Sequence, residues 1–276
     1  KRIFLDLKRL NLKPIDINKY LFYENLTNNL NYSIKKIDII NLIKYFLPTY
    51  FILRIKLFTL MFNKKNIYRH GNVINPKLIL NNISYIKRLK NFYKVSSEDP
   101  NFSKKYIFYA MHFEPEANIM ARARFSSQLI VIKQLSQNLP KGWLLYVKEH
   151  PDQFYFDKPG WWYFLISINK YRTVEFYNEI LKLKNVRLMK NDVSSAECIK
   201  SAVAISTING SISAEALVYK KPLLMFGHQS TPFGLCKDVL KITSTNECRK
   251  AIEKIKAGFK PNYSDLKKIV KNYHFE

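Results

Sequence analysis

From residue 106 onward the chain alternates short apolar runs with longer amphipathic stretches. The apolar runs are short, rich in Val, Ile, Leu, Tyr and Phe, and bounded by polar or turn residues, the pattern of buried strands. They predict strands at Tyr106–Met111, Trp143–Lys148, Val186–Met189, Val203–Ser206 and Pro222–Phe226. Between and after them, apolar residues recur at helical spacing over Ser126–Asn138, Thr173–Leu183, Ser194–Ser201, Ser211–Tyr219 and Asn246–Ala257. Strand and helix in strict alternation predict an α/β fold: a Rossmann-like parallel sheet with helices on both faces.

Upstream the pattern is different. Ile39 to Phe62 is strongly apolar and aromatic, but Lys44, Arg54 and Lys56 interrupt it and Pro48 breaks it. Its longest uncharged run, Tyr45 to Leu53, falls far short of the roughly 20 residues a bilayer span needs. It reads as a buried helical hairpin, with a membrane-interface segment as the alternative. The polar connection Ser96-Ser97-Glu98-Asp99-Pro100-Asn101 then marks a domain boundary, giving a partial, more helical N-terminal domain over 1–100 and the sheet domain over 101–276. A second irregular stretch, Gln153 to Arg172, holds Trp161, Trp162 and Tyr163 and reads as a flap over the carboxyl edge of the sheet, by local packing or by sugar stacking.

Charge narrows the partners only in part. The formal net charge is +25 with a pI near 9.8, which suits a nucleic-acid binder, an enzyme of anionic substrates or a protein resting on anionic lipid. Richness in Lys, Asn, Ile, Tyr and Phe is also that of AT-rich codons, so part of this basicity reflects composition. Residues 1–105 hold 21 Lys and Arg against 6 Asp and Glu, the more basic share of the chain. Three cysteines, Cys198, Cys236 and Cys248, without CxxC spacing indicate neither a disulfide framework nor a zinc site, and a reducing, cytoplasmic setting is expected. The chain begins at Lys1 rather than Met, so a natural start further upstream is expected, and no signal-peptide pattern opens it.

Three clusters at predicted strand ends carry the chemistry. Lys148-Glu149-His150-Pro151 places an imidazole at the carboxyl edge of the sheet, where a proline ends the ladder. Ser206, Thr207, Asn209, Gly210, Ser211 and Ser213 surround a helix start, the form of an anion cradle, with an ordinary helix cap as the alternative. Glu215, one turn in, is placed to accept from ribose hydroxyls. His112, Glu114 and Glu116 gather two carboxylates and an imidazole after the first strand and are candidates for general base work. Arg122 and Arg124, with Lys148, are placed to neutralise an anionic substrate. No Gly-x-x-x-x-Gly-Lys-Ser/Thr, Gly-x-Gly-x-x-Gly or Asp-x-Asp pattern is present.

Tyr-Ala-Met-His-Phe-Glu-Pro-Glu (109–116), Pro-Lys-Gly-Trp-Leu-Leu-Tyr-Val-Lys-Glu-His-Pro (140–151) and Ser-Thr-Ile-Asn-Gly-Ser-Ile-Ser-Ala-Glu-Ala-Leu (206–217) together resemble the bacterial capsule and surface polysaccharide biosynthesis family. That family includes GT-B glycosyltransferases that use CMP-activated acidic sugars such as Kdo, with relatives among the CMP-sialic acid transferases. The resemblance covers roughly 105–260 and implies a GT-B-like fold. It also implies that His150 and Pro151 are a His-Pro motif at the nucleotide phosphate, and that Ser206, Thr207 and Ser211 are its Ser/Thr motif. Glu114 stands where family members often carry Gln.

The leading expectation is a metal-independent glycosyltransferase of surface polysaccharide biosynthesis. It would move an acidic sugar from a CMP donor to a glycan or lipid-linked glycan acceptor, with no further cofactor. His150 and the helix near Ser211 would stabilise the leaving phosphate, and a carboxylate would activate the acceptor hydroxyl. Alternatives are a nucleotide-sugar 2-epimerase of GT-B-like fold and a non-enzymatic basic nucleic-acid binder. The basic N-terminal third suggests peripheral attachment to the inner face of an anionic membrane.

Overall fold

The computed structural model describes residues 76–114, 127–154, 171–227 and 232–266. The chain divides into two compact units, Lys1–Ile83 and Ser84–Glu276. The sheet and the site lie in the second.

Six parallel strands form one sheet: β1 (Tyr106–Ala110), β2 (Leu144–Lys148), β3 (Val186–Met189), β4 (Ala204–Thr207), β5 (Leu223–Met225) and β6 (Leu240–Lys241). Their order is β3-β2-β1-β4-β5-β6. The chain starts at the centre, winds outward through β2 and β3, returns to the far side of β1 and winds out again. This order is doubly wound, and it builds the Rossmann-like parallel sheet with helices on both faces expected from the alternating pattern. Every expected strand is present within two residues of its expected ends; β6 was not expected, because two residues of mixed polarity make no apolar run.

The helices are α1 (Pro76–Ser96), α2 (Gln128–Asn138), α3 (Val174–Leu181), α4 (Ser195–Ser201), α5 (Ile212–Val218) and α6 (Thr245–Lys256). Right-handed crossovers dictate their sides. The connections from β1 to β2 and from β2 to β3 put α2 and α3 on one face, where α6 joins them. The return from β3 to β4 and the step to β5 put α4 and α5 on the other. There, Tyr106, Phe108, Tyr146 and Ile205 of the strands pack with Cys198, Ile199, Ile212, Ala216 and Leu217 in one buried cluster. Two of the helices are capped at their N-termini by hydroxyls: Thr173 Oγ1 accepts from Phe176 N at 3.0 Å and Ser244 Oγ from Glu247 N at 3.2 Å.

The connection after α1 is docked on the sheet. Glu98 forms a one-residue parallel bridge with Met189, donating to Leu188 O at 2.9 Å, while its carbonyl accepts from Lys190 N at 3.1 Å. Tyr146 Oη accepts the Asn101 N–H at 2.8 Å. The hairpin read at Ile39–Phe62 and the aromatic flap around Trp161–Tyr163 lie outside the described residues.

Candidate functional site

A doubly wound sheet opens a crevice where strand order reverses, at the carboxyl ends of the two strands whose connections depart in opposite directions. Here those strands are β1 and β4. The segments leaving them are Met111–Glu114 and Ile208–Ser211, and the β2 exit, Glu149–Phe154, lies beside them. These are the three clusters singled out in the sequence, brought together by topology from positions about forty to a hundred residues apart.

The imidazole of His112 joins the first two. Its Nε2 lies 3.1 Å from Thr207 Oγ1 and accepts from the main-chain N–H of Ile208 at 3.2 Å and of Asn209 at 3.3 Å. Thr207 Oγ1 also accepts from Gly210 N at 3.1 Å, and Ser213 Oγ donates to Gly210 O at 2.7 Å. The N–H groups of Asn209 and Gly210, read from sequence as part of an anion cradle, are therefore satisfied from within the protein, as is that of Ile208. Gly210 is required by close approach: a Cβ there would stand 2.9 Å from Thr207 Oγ1 and 3.0 Å from His112 Cε1.

The main chain at His112 and at Glu114 is clamped by two carboxamides. Gln128 accepts from His112 N at 2.7 Å and donates to His112 O at 3.0 Å. Gln153 does the same for Glu114, accepting from its N–H and donating to its carbonyl, both at 3.0 Å. An amide side chain paired with both polar groups of one residue acts as a stand-in for a neighbouring strand. It continues the ladder beyond Met111, whose N–H still donates to Lys148 O at 2.9 Å.

Beneath this loop lies an ion network centred on Arg172, which is fully buried. Its Nε donates to Glu149 Oε2 at 2.7 Å, its Nη2 to Glu149 Oε1 at 3.3 Å and to His112 O at 2.9 Å, and its Nη1 pairs with Glu114 Oε2. The guanidinium stacks on Phe176, 4.7 Å from the ring centroid. Burial alone disfavours its charge, but Glu149 and Glu114 outweigh that and hold its pKa above the ordinary arginine value. Glu149 is saturated further: Tyr177 Oη donates to Oε2 at 2.6 Å, His150 N donates to Oε1 at 2.8 Å, and Tyr93 Oη accepts the Glu149 N–H at 2.9 Å. Burial, then the Glu149 charge, pushes the Tyr177 and Tyr93 phenols well up, so both remain neutral donors.

The other candidates are placed as follows. Glu114 is buried and held by Arg172, a positioned anion rather than a free base. His150 is half-buried at the mouth, its Nδ1 accepting from Asp152 N at 3.1 Å, so the neutral ring carries its proton on Nε2. Pro151 opens a 3-10 turn, Pro151–Phe154, rather than merely ending β2. Lys148 and Glu149 are both buried, on opposite faces. Lys148 Nζ donates to Val193 O and to Ser195 Oγ at 3.1 Å, near the start of α4, and burial lowers its pKa. Ser206 is fully buried and its hydroxyl has no hydrogen-bond partner among the described residues. Asn209 and Glu215 are half-buried and Ser211 is exposed. Glu116, Arg122 and Arg124 lie outside the described residues. Sequence reasoning missed Arg172, Gln128 and Gln153, whose roles depend on partners far away in the chain.

Burial, with the His150 and Arg172 charges beside it, pushes the His112 pKa down to about 3. In the unfolded chain the same ring titrates near 6.5. Between those values the unfolded chain binds more protons than the native one, so native stability falls as pH drops from about 6.5 toward 3. Denaturant unfolding at pH 7 and pH 5 is expected to show a loss of up to about 2 kcal/mol from this ring. His112→Gln is expected to remove that part of the slope, and an unchanged slope would count against it.

No protein-family model matches the chain, and no curated protein matches it. Solved structures do. The KpsC β-Kdo 2,7-transferase of Thermosulfurimonas dismutans aligns over 64% of this chain and 55% of its own, at 17% identity and a TM-score of 0.36. The UDP-GlcNAc 2-epimerase of Methanocaldococcus jannaschii aligns over 72% of this chain and 53% of its own, at 15% identity and a TM-score of 0.40. The same epimerase in complex with UDP-GlcNAc and UDP aligns over 77% and 59%, at 15% identity and a TM-score of 0.38. The chain thus spans a little over half the length of each of these structures.

Proposed function

We propose that the protein is a nucleotide-sugar-dependent glycosyltransferase of surface polysaccharide biosynthesis, taking an acidic sugar such as Kdo from a CMP donor. The observation that carries this reading is the convergence of His112, Glu114, His150 and Asn209 on the reversal point of a doubly wound sheet. That crevice is the place where such sheets take nucleotides. The motif resemblance over 105–260 supports the choice of a transferase and of CMP over other nucleotides.

In this reading His150 donates through Nε2 to the departing phosphate. The Gln128 and Gln153 clamps and the Arg172 network keep the β1 and β2 exits at fixed separation, so the crevice is set before ligand arrives. Acceptor binding belongs to residues 1–100, and Glu116 is the carboxylate proposed to activate the acceptor hydroxyl, since Glu114 is held by Arg172. The basic N-terminal third is proposed to rest on anionic lipid at the inner face of the membrane. No described helix is long and apolar enough to cross one.

The test is thermal stabilisation by CMP, UDP, GDP and ADP, with His150→Ala alongside. CMP is expected to raise the melting temperature most, and His150→Ala to weaken CMP binding by about tenfold or more. A preference for UDP would move the reading to a UDP-sugar enzyme such as the epimerase. No shift with any of the four would overturn it.

A further inference from the structure

The contacts of His112 determine which of its nitrogens holds the proton. Main-chain N–H groups can only donate, and two of them, from Ile208 and Asn209, point at Nε2. Nε2 therefore presents a lone pair, and the neutral ring must carry its proton on Nδ1. Nδ1 has no hydrogen-bond partner among the described residues. The residue is only 5% exposed. With its tautomer fixed by two main-chain groups, the ring therefore offers at the switch point a hydrogen-bond donor for which the described residues supply no acceptor.

We propose that His112 is a tautomer-locked hydrogen-bond donor whose Nδ1–H engages a phosphate oxygen of the bound nucleotide. This rests on the nucleotide reading above and replaces the general-base role expected from the sequence. A base needs a free lone pair facing the substrate, and the lone pair of His112 faces the protein. The surroundings favour the neutral ring: burial first, then His150 from the β2 exit and Arg172 from the segment before α3, oppose a positive charge on it. A neutral donor leaves its hydrogen bond unchanged across the physiological pH range. The arrangement also explains the glycine at 210, since a side chain there would push the ring off the two N–H groups that set its tautomer.

Two experiments test this on the full chain. In protein labelled with 15N-histidine, long-range proton–nitrogen spectra should show His112 protonated at Nδ1 and bare at Nε2, unchanged between pH 7 and pH 5. Its Nδ1 proton should move downfield when CMP is added but not when cytidine is added. An Nε2–H tautomer, or an imidazolium at pH 5, would overturn the assignment. In binding assays, His112→Gln keeps an acceptor within reach of the two N–H groups but removes the Nδ1 donor, whereas His112→Asn places an amide donor near the Nδ1 position.

The affinity of His112→Gln for CMP is expected to fall about tenfold or more, with cytidine unaffected, and His112→Asn should recover part of the loss. Equal loss for CMP and cytidine, or no loss, would overturn the phosphate contact while leaving the nucleotide reading in place. A wild-type protein that binds neither ligand would overturn the nucleotide reading itself, with the tautomer still decided by the spectra.

Discussion

Replacing Arg172 by Met is expected to cost about 3–5 kcal/mol of stability, the largest effect of any single substitution considered. The guanidinium has no solvent exposure and neutralises two carboxylates at once, Glu149 with a side exposure of 0% and Glu114 with 9%. Methionine fills much the same volume but leaves both anions buried without a counter-charge, and it removes the donor to His112 O. Lysine would be a poor rescue, because one ammonium cannot make the two-point contact with Glu149 and reach Glu114 and the carbonyl together. The triple variant Arg172→Met, Glu114→Gln, Glu149→Gln removes the charges with their partner and should recover a good part of the loss. Urea unfolding of the single and triple variants checks this. A loss below about 1 kcal/mol for Arg172→Met would show that the network does not hold the site together.

The second large effect is expected at Gly210. An alanine Cβ would come within 2.9 Å of Thr207 Oγ1 and 3.0 Å of His112 Cε1. Neither neighbour is a flexible end: Thr207 is fully buried and the ring is held by three contacts. Overpacking of this kind costs about 1–3 kcal/mol. It should also displace the imidazole, so nucleotide stabilisation should fall more than protein stability does. In a His112→Ala background the stability cost of Gly210→Ala should shrink, because one of the two clashes is gone. Equal costs in both backgrounds would mean that the ring does not press on Gly210.

The fold was legible because a buried parallel sheet writes itself locally. Each strand is a short apolar run, each covering helix carries its own periodicity, and both survive in a single sequence. The α1 helix was harder to see, since its buried positions Ile86, Leu89 and Tyr93 are set among Lys87, Arg88, Lys90 and Lys94. The strand order could not be read, because it depends on which crossovers turn back. That order is what brings residue 112 to residue 208.

The site was legible in its residue types and not in its contacts. His112, Glu114 and His150 stood out as polar groups at strand ends. Arg172 is a lone arginine next to a helix cap, and nothing nearby in sequence marks it as the partner of two glutamates 23 and 58 residues away. The turn after β4 had the composition of an anion cradle, yet a histidine from another strand end accepts two of its N–H groups. Composition states which groups a segment can offer; topology decides which of them are already used.

The most direct test of the central claim is to map CMP onto the protein by amide chemical shifts. The account predicts that the largest changes fall together on 112–114, 150–153 and 207–211, the three segments that meet where β1 and β4 diverge. Binding that leaves all three unmoved and perturbs a different surface would contradict it.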